Sequence, residues 1–154
     1  MTAQDELARI ARAVIDANSY MTIATADRAG RPWPSPVWYA HEGYREFFWV
    51  SSPTARHSAN LAERPEAGIV IYDSRVPAGT AQAVYIEATA AEVTAGELTR
   101  GIGVYSAESL AMGGRRWTAD EVRAPASLRL YRAIATELFV IDRDDWRRPA
   151  APGG

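Results

Sequence analysis

From Val50 to Leu61 the chain reads Val-Ser-Ser-Pro-Thr-Ala-Arg-His-Ser-Ala-Asn-Leu, which gathers hydroxyls, an arginine and a histidine where an apolar strand gives way to a helix. Ser52 suits an N-cap and Pro53 the first helical position, so the pattern predicts a helix from Pro53 to about Glu63. Its charges run against the macrodipole: Arg56 and His57 fall near the positive end and Glu63 at the far end. Uncompensated, each reversed charge costs a few tenths to about 1 kcal/mol. A bound anion changes the sign of that effect, because charge-assisted hydrogen bonds contribute roughly 1.5–3 kcal/mol each. Open N–H groups, the Ser51 and Ser52 hydroxyls and the Arg56 fork then make a phosphate cradle. The plainer reading is a routine Ser-Pro helix opening with both cations solvated or paired elsewhere; the reversed charges favour phosphate over it.

The elements that must position this segment follow from periodicity. Thr2 with Asp5 forms a capping box, and Leu7, Ile10, Ala11, Val14 and Ile15 recur at helical spacing, predicting an amphipathic helix to about Asn18. Met21 to Ala26 is a strand, Asp27 to Gly30 a turn, and Arg31 to Ala40 an extended segment interrupted by Pro32, Pro34 and Pro36. Prolines donate nothing to a ladder, so this segment must lie on an edge or bulge. After a turn at residues 41–44, Glu46 to Ser51 is a nearly continuous apolar strand, as expected for one buried on both faces. Further strands are predicted over 68–73 and 83–88, a helix over 98–112, and a final pair of strands over 128–133 and 137–142. The fold class is mostly β with peripheral helices: an antiparallel barrel of six to seven strands. One domain over 1–142 and a disordered Pro/Gly/Ala tail over 143–154 are expected.

Composition narrows the function. The 154 residues contain no cysteine and only His41 and His57, too few soft ligands for a structural metal site. With a net charge of −2 and no lysine, there is no basic field for a nucleic-acid backbone. No apolar run approaches the roughly 20 residues that span a bilayer, and no signal pattern opens the chain, so neither a membrane nor export is expected and the cytoplasm is the expected compartment. Gly101-Ile-Gly103 lacks the third glycine of a dinucleotide fingerprint, and no Gly-x-Ser-x-Gly elbow exists.

Met21-Thr-Ile-Ala-Thr25, Gly30-Arg31-Pro32, Ser35-Pro36-Val37-Trp38-Tyr39, Phe48-Trp49-Val50-Ser51, Ala55-Arg56-His57-Ser58-x-Asn60-Leu61 and Gln82-Ala-Val-Tyr-Ile-Glu87 together resemble the pyridoxamine 5'-phosphate oxidase-like split-barrel flavoproteins over roughly residues 15–142. The resemblance implies an FMN cofactor, its phosphate held around Val50, Ser51, Ser52, Arg56 and His57, with His57 standing where the family commonly has lysine. It implies that Ser35, Pro36, Val37 and Trp38 run along the flavin ring, that Gln82 contributes from the later strand, and that two chains form a homodimer with the flavin at the interface. The family's substrate-phosphate pattern of Tyr, Arg and Ser at four-residue spacing becomes Tyr105, Ser109 and Gly113, and Leu130-Tyr131-Arg132-Ala133 occupies the place of a C-terminal Arg-x-His. Oxidation of pyridoxamine 5'-phosphate itself is therefore not expected. Tyr105, Arg115, Arg116, Trp117, Tyr131 and Arg132 are the candidate substrate or partner-chain contacts. The expected activity is flavin-mediated hydride transfer to or from a small molecule, with no side chain required as acid or base. An 8-hydroxy-5-deazaflavin coenzyme, with Arg115 and Arg116 serving its acidic tail, and a flavin carrier or sensor without turnover are the alternatives.

Overall fold

The computed structural model describes residues 1–141 and 147–150. Helix α1 (Ala3–Ala17) opens with the expected capping box of Thr2 and Asp5 and buries Ala11, Val14 and Ile15. Strands β1 (Tyr20–Ala26), β2 (Pro32–Trp38), β3 (Ala40–Glu42) and β4 (Glu46–Ser51) precede helix α2 (Arg56–Glu63). Strands β5 (Glu66–Tyr72) and β6 (Ala83–Glu92) lead to helix α3 (Leu98–Ala111), a 3₁₀ turn over Ala119–Val122, and strands β7 (Arg129–Ile141) and β8 (Arg147–Ala150). All pairings are antiparallel in the order β2-β1-β5-β6-β7-β4-β3, with β8 on β7. The mostly β, helix-decorated split barrel read from the sequence is the observed architecture. No helix among the described residues is long and apolar enough to cross a membrane.

Strand β4 explains how the barrel is held. Phe47 and Trp49 point into the main core with Ile23, Ile71, Val84 and Leu138, whereas Phe48 points to the other face and joins Leu130, Leu98 and Ile102 beneath α3. Each fully buried side chain of this kind contributes roughly 1.5–3 kcal/mol. Burial on both faces is why the strand's apolar run shows no alternation.

Three expectations are corrected. Residues 128–133 and 137–142 are not two strands: β7 runs unbroken, and the polar Thr136-Glu137 that looks like a turn is a bulge, where the register on β6 shifts between Glu87 and Ala88 and the Thr136 hydroxyl donates to Glu87 O at 3.0 Å. Within the tail expected to be disordered, Arg147–Ala150 pair with β7 from Ile141 to Leu138; residues 142–146 and 151–154 lie outside the described residues. The 41–44 turn begins later than expected, since Ala40–Glu42 pair with Phe48–Glu46 and the reversal falls on Gly43 and Tyr44, both at positive φ.

Gly101, which weakens α3 on propensity alone, is where that helix meets the sheet. A Cβ there would lie 2.9 Å from Phe48 Cε1 and 3.0 Å from Leu130 Cδ2, whereas Gly103 faces open space. Gly101→Val should therefore destabilise the fold by about 1–3 kcal/mol through overpacking, while Gly103→Ala should stabilise it by up to about 1 kcal/mol through helix propensity. Urea midpoints of the two variants moving in the same direction would refute this packing account.

Candidate functional site

The phosphate segment folds differently from its sequence reading, and the difference opens the site. Ser52 does not cap α2. Its Oγ accepts from Thr54 N at 3.2 Å and shares a 2.8 Å hydrogen bond with Thr54 Oγ1, and its carbonyl accepts from Ala55 N at 3.1 Å and from Ser58 Oγ at 2.8 Å. Residues 52–55 are thus a self-closed turn, Pro53 lies before the helix, and Ala55 is the N-cap with no side chain to offer. Ala59 N bonds Ala55 O, but among the described residues the N–H groups of Arg56, His57 and Ser58 have no acceptor and no acidic residue stands in the first turn. Three N–H groups left open at the positive end of a helix can accept an anion.

Arg56 occupies the first position of this helix. Its guanidinium carbon sits 4.2 Å from the Trp33 ring centroid, and it makes no ion pair among the described residues. His57, its neighbour, goes the other way: it is buried, and its Nε2 lies 2.9 Å from Ser51 Oγ. Burial pushes its pKa below the ordinary histidine value, so the expectation of a partly cationic His57 at the helix end is corrected. His57 acts on the site through Ser51, whose hydroxyl it fixes. The signal was in the spacing: His57, Asn60 and Leu61 stand at i, i+3 and i+4 on the buried face.

Strand β2 carries the proposed ring contacts. Its pairing with β1 runs from Tyr20 with Trp38 to Ala26 with Pro32. Ser35 is half-buried, Pro36 exposed, Val37 in the main core and Trp38 half-buried against α3. Val37 can therefore meet a ligand only through its backbone. Val50 is half-buried beneath α3, and Gln82 is exposed, just ahead of Ala83, whose partner is Tyr72.

Trp38 also begins a second feature. It meets Tyr105 edge-on at 5.1 Å, and Tyr105 meets Trp117 edge-on at 5.6 Å. With Ser109, Met112, Gly114 and Arg115 these rings wall a cavity of about 310 Å³. Desolvation raises the Tyr105 phenol above its ordinary value, so it remains a hydrogen-bond donor at neutral pH. Arg115 is committed: its guanidinium lies 3.7 Å from the Trp117 ring and 2.6 Å from Glu121, whose carboxyl that contact holds low. Arg116 is exposed with no ion pair among the described residues. Two candidates are engaged elsewhere: Tyr131 is buried and stacked on Trp49 at 5.6 Å, and Arg132 pairs with Glu46 at 2.9 Å. What the sequence reading missed is Trp33 as the partner of Arg56, together with Thr25 and Asn60 behind it.

A family model described as pyridoxamine 5'-phosphate oxidase matches residues 7–139. No curated protein matches the chain. Among solved structures, a heme-binding protein from Mycobacterium smegmatis is similar at 19% identity and a TM-score of 0.76 over 99% of this chain, which spans only 59% of that protein. A heme storage protein from Vibrio cholerae is similar at 20% identity, with 91% of this chain and 95% of that one covered and a TM-score of 0.65. An FAD-binding protein from Mesorhizobium loti is similar at 14% identity, with 91% and 94% covered and a TM-score of 0.65. At these identities the three structures share the fold.

The state of His57 has a measurable consequence. The unfolded chain takes up this proton near 6.5 and the folded chain only at lower pH, so acidification through 6.5 favours unfolding. Stability to urea should fall more steeply between pH 7 and 5.5 in the native chain than in His57→Gln. Parallel pH profiles would show that His57 titrates freely in the folded state.

Proposed function

Since the chain belongs to the pyridoxamine 5'-phosphate oxidase-like family, we propose that it is an FMN-dependent oxidoreductase acting on a small molecule other than pyridoxamine 5'-phosphate. The observation that carries this reading is the start of α2, which combines three open N–H groups with an arginine that has no carboxylate partner among the described residues. That donor set fits a phosphomonoester. The N–H groups and Arg56 would hold the phosphate, the Ser51 hydroxyl, oriented by His57, would add a contact, and β2 would lie along the ring through Pro36 and Trp38. From Trp33 to Trp38 the strand spans about 17 Å at roughly 3.3 Å per residue, a length suited to a ligand with its phosphate at one end and its ring at the other. A bound flavin would supply two-electron hydride transfer.

The cavity at Trp38 would receive the substrate, with Tyr105 as a donor and aromatic side chains in its walls. It is poorly equipped for a second phosphate. Ser109 stands where the family's substrate arginine is expected, and Arg115 is already neutralised by Glu121. The same engagement weighs against a deazaflavin coenzyme that relies on Arg115 for its acidic tail. Heme, which the names of two similar structures raise, finds little here: His41 and His57 are each hydrogen-bonded through Nε2, to Asp16 and Ser51.

We further propose a homodimer. The outer sheet face holds a groove of about 350 Å³ lined by Thr22, Ala24, Pro34, Gly68, Val70 and Phe139, and Tyr20 and Tyr72 stand exposed on the same strands. A mostly apolar surface of this kind, with Glu87 and Tyr85 also in its lining, is suited to a second copy. Light scattering at low micromolar concentration should give twice the chain mass, and a monomer that binds FMN stoichiometrically would refute the shared site.

The reading is tested by titrating the full chain with FMN and assaying the loaded protein. Arg56→Ala should weaken FMN binding by about 1.5–3 kcal/mol without unfolding the chain. Oxidation of pyridoxamine 5'-phosphate should run about 2–4 decades below that of a dedicated oxidase, from the 2–5 kcal/mol that loss of a buried charge pair costs. Unchanged FMN affinity in the folded variant would remove the phosphate from α2, and efficient turnover would show that another arginine replaces the missing one.

A further inference from the structure

Trp33 and Arg56 are joined twice. On one side the guanidinium of Arg56 lies over the indole, 4.2 Å from its centroid. On the other, one helical turn along α2, Asn60 Nδ2 donates to Thr25 Oγ1 at 3.0 Å, and Thr25 Oγ1 donates to the carbonyl of Trp33 at 3.3 Å. Thr25 and Asn60 are 4% and 6% exposed, so this relay is sealed from water and each hydroxyl and amide contact in it is hard to replace. Helix α2 therefore grips residue 33 by its ring through Arg56 and by its carbonyl through Asn60 and Thr25. The backbone at residue 33 is thereby tied to α2, while the indole, 38% exposed, lies against the Arg56 guanidinium.

Stacking has a consequence that ion pairing would not. A carboxylate partner takes up the in-plane N–H groups of a guanidinium, whereas an aromatic face takes only its π surface and leaves the five donors free. Asp27, the acidic group that feels Arg56, accepts from the Arg31 backbone N–H and lies 3.2 Å from the Arg31 guanidinium. Arg56, the first residue of α2, thus keeps its in-plane donors unspent.

We infer that Trp33 is a positioning residue which, with Thr25 and Asn60 behind it, pre-orients Arg56 and so makes the site select a flavin that carries a terminal phosphate over one that does not. This rests on the phosphate reading of α2 above. Trp33 acts on the phosphate end only; it does not act on the ring.

The test compares FMN with riboflavin on the full chain, read by quenching of flavin fluorescence, for the native protein, Trp33→Leu, Trp33→Phe, Arg56→Ala and the double variant Trp33→Leu/Arg56→Ala. Trp33→Leu should weaken FMN by about 2- to 30-fold, the range of a cation held on an aromatic face, and leave riboflavin unchanged. Trp33→Phe should recover part of the loss, and Trp33→Leu should add little once Arg56 is gone. Equal losses for FMN and riboflavin, or full additivity with Arg56→Ala, would overturn the inference while the native preference for FMN stands. No preference for FMN in the native chain would overturn the phosphate reading and this inference with it. Trp33→Phe keeps a ring above the relay, so its result remains decisive if Trp33→Leu fails to fold.

Discussion

Strand β2 carries prolines at 32, 34 and 36, and this parity constrains the whole site. An antiparallel strand sends the N–H and C=O of alternate residues to one neighbour and those between them to the other side. Proline has no N–H, so the ladder to β1 must run through Trp33, Ser35 and Val37, as the contact of Thr25 Oγ1 with the Trp33 carbonyl and the bond from Tyr39 N to Ser19 O attest. The other side of β2 then presents carbonyls without donors, which no further strand can pair with. The strand is committed to the sheet edge, and the sheet order ends on it.

The same parity sorts the side chains. Pro32, Pro34, Pro36 and Trp38 share one face; Trp33, Ser35 and Val37 share the other. On the second face Val37 is seated among the barrel residues, and the Trp33 indole, which stays exposed, meets Arg56 of α2. The first set turns outward, which brings Trp38 against Tyr105 on α3. One strand thereby links the open N-terminal end of α2 to the aromatic cavity at α3. Neither helix needs to touch the other.

Much of this was legible in the sequence because period-2 and period-3.6 patterns survive wherever one face is buried. The capping box at Thr2, the two-faced burial of β4 and the edge position of β2 all follow from residue type and spacing. What failed did so where a local signal had two solutions. Ser52-Pro53 can cap a helix or close a turn, and the nearby Thr54 hydroxyl decided for the turn. Thr136-Glu137 can reverse a chain or bulge a strand, and continuous pairing of β6 on both sides decided for the bulge. Trp33 was invisible as a site residue because a cation–aromatic contact joins residues 23 positions apart and leaves no periodic trace.

The displaced start of α2 strengthens the chemical argument that the sequence raised. Had Ser52 capped the helix, one of its first N–H groups would have been satisfied internally, and Arg56 would have stood a turn inside it. With Ala55 as the N-cap, the arginine stands at the first helical position, where the macrodipole opposes its charge most. A protein can relieve that opposition with a carboxylate, and acidic residues do begin α1. The first turn of α2 has none, and the guanidinium lies against an aromatic face that leaves its charge intact. His57, the other titratable group of that turn, is withdrawn into the interior and kept neutral, so it neither adds to the repulsion nor screens it. An arginine without an ion pair among the described residues thus opens a helix whose first three N–H groups have no acceptor, and the proposed phosphate contact rests on that pairing.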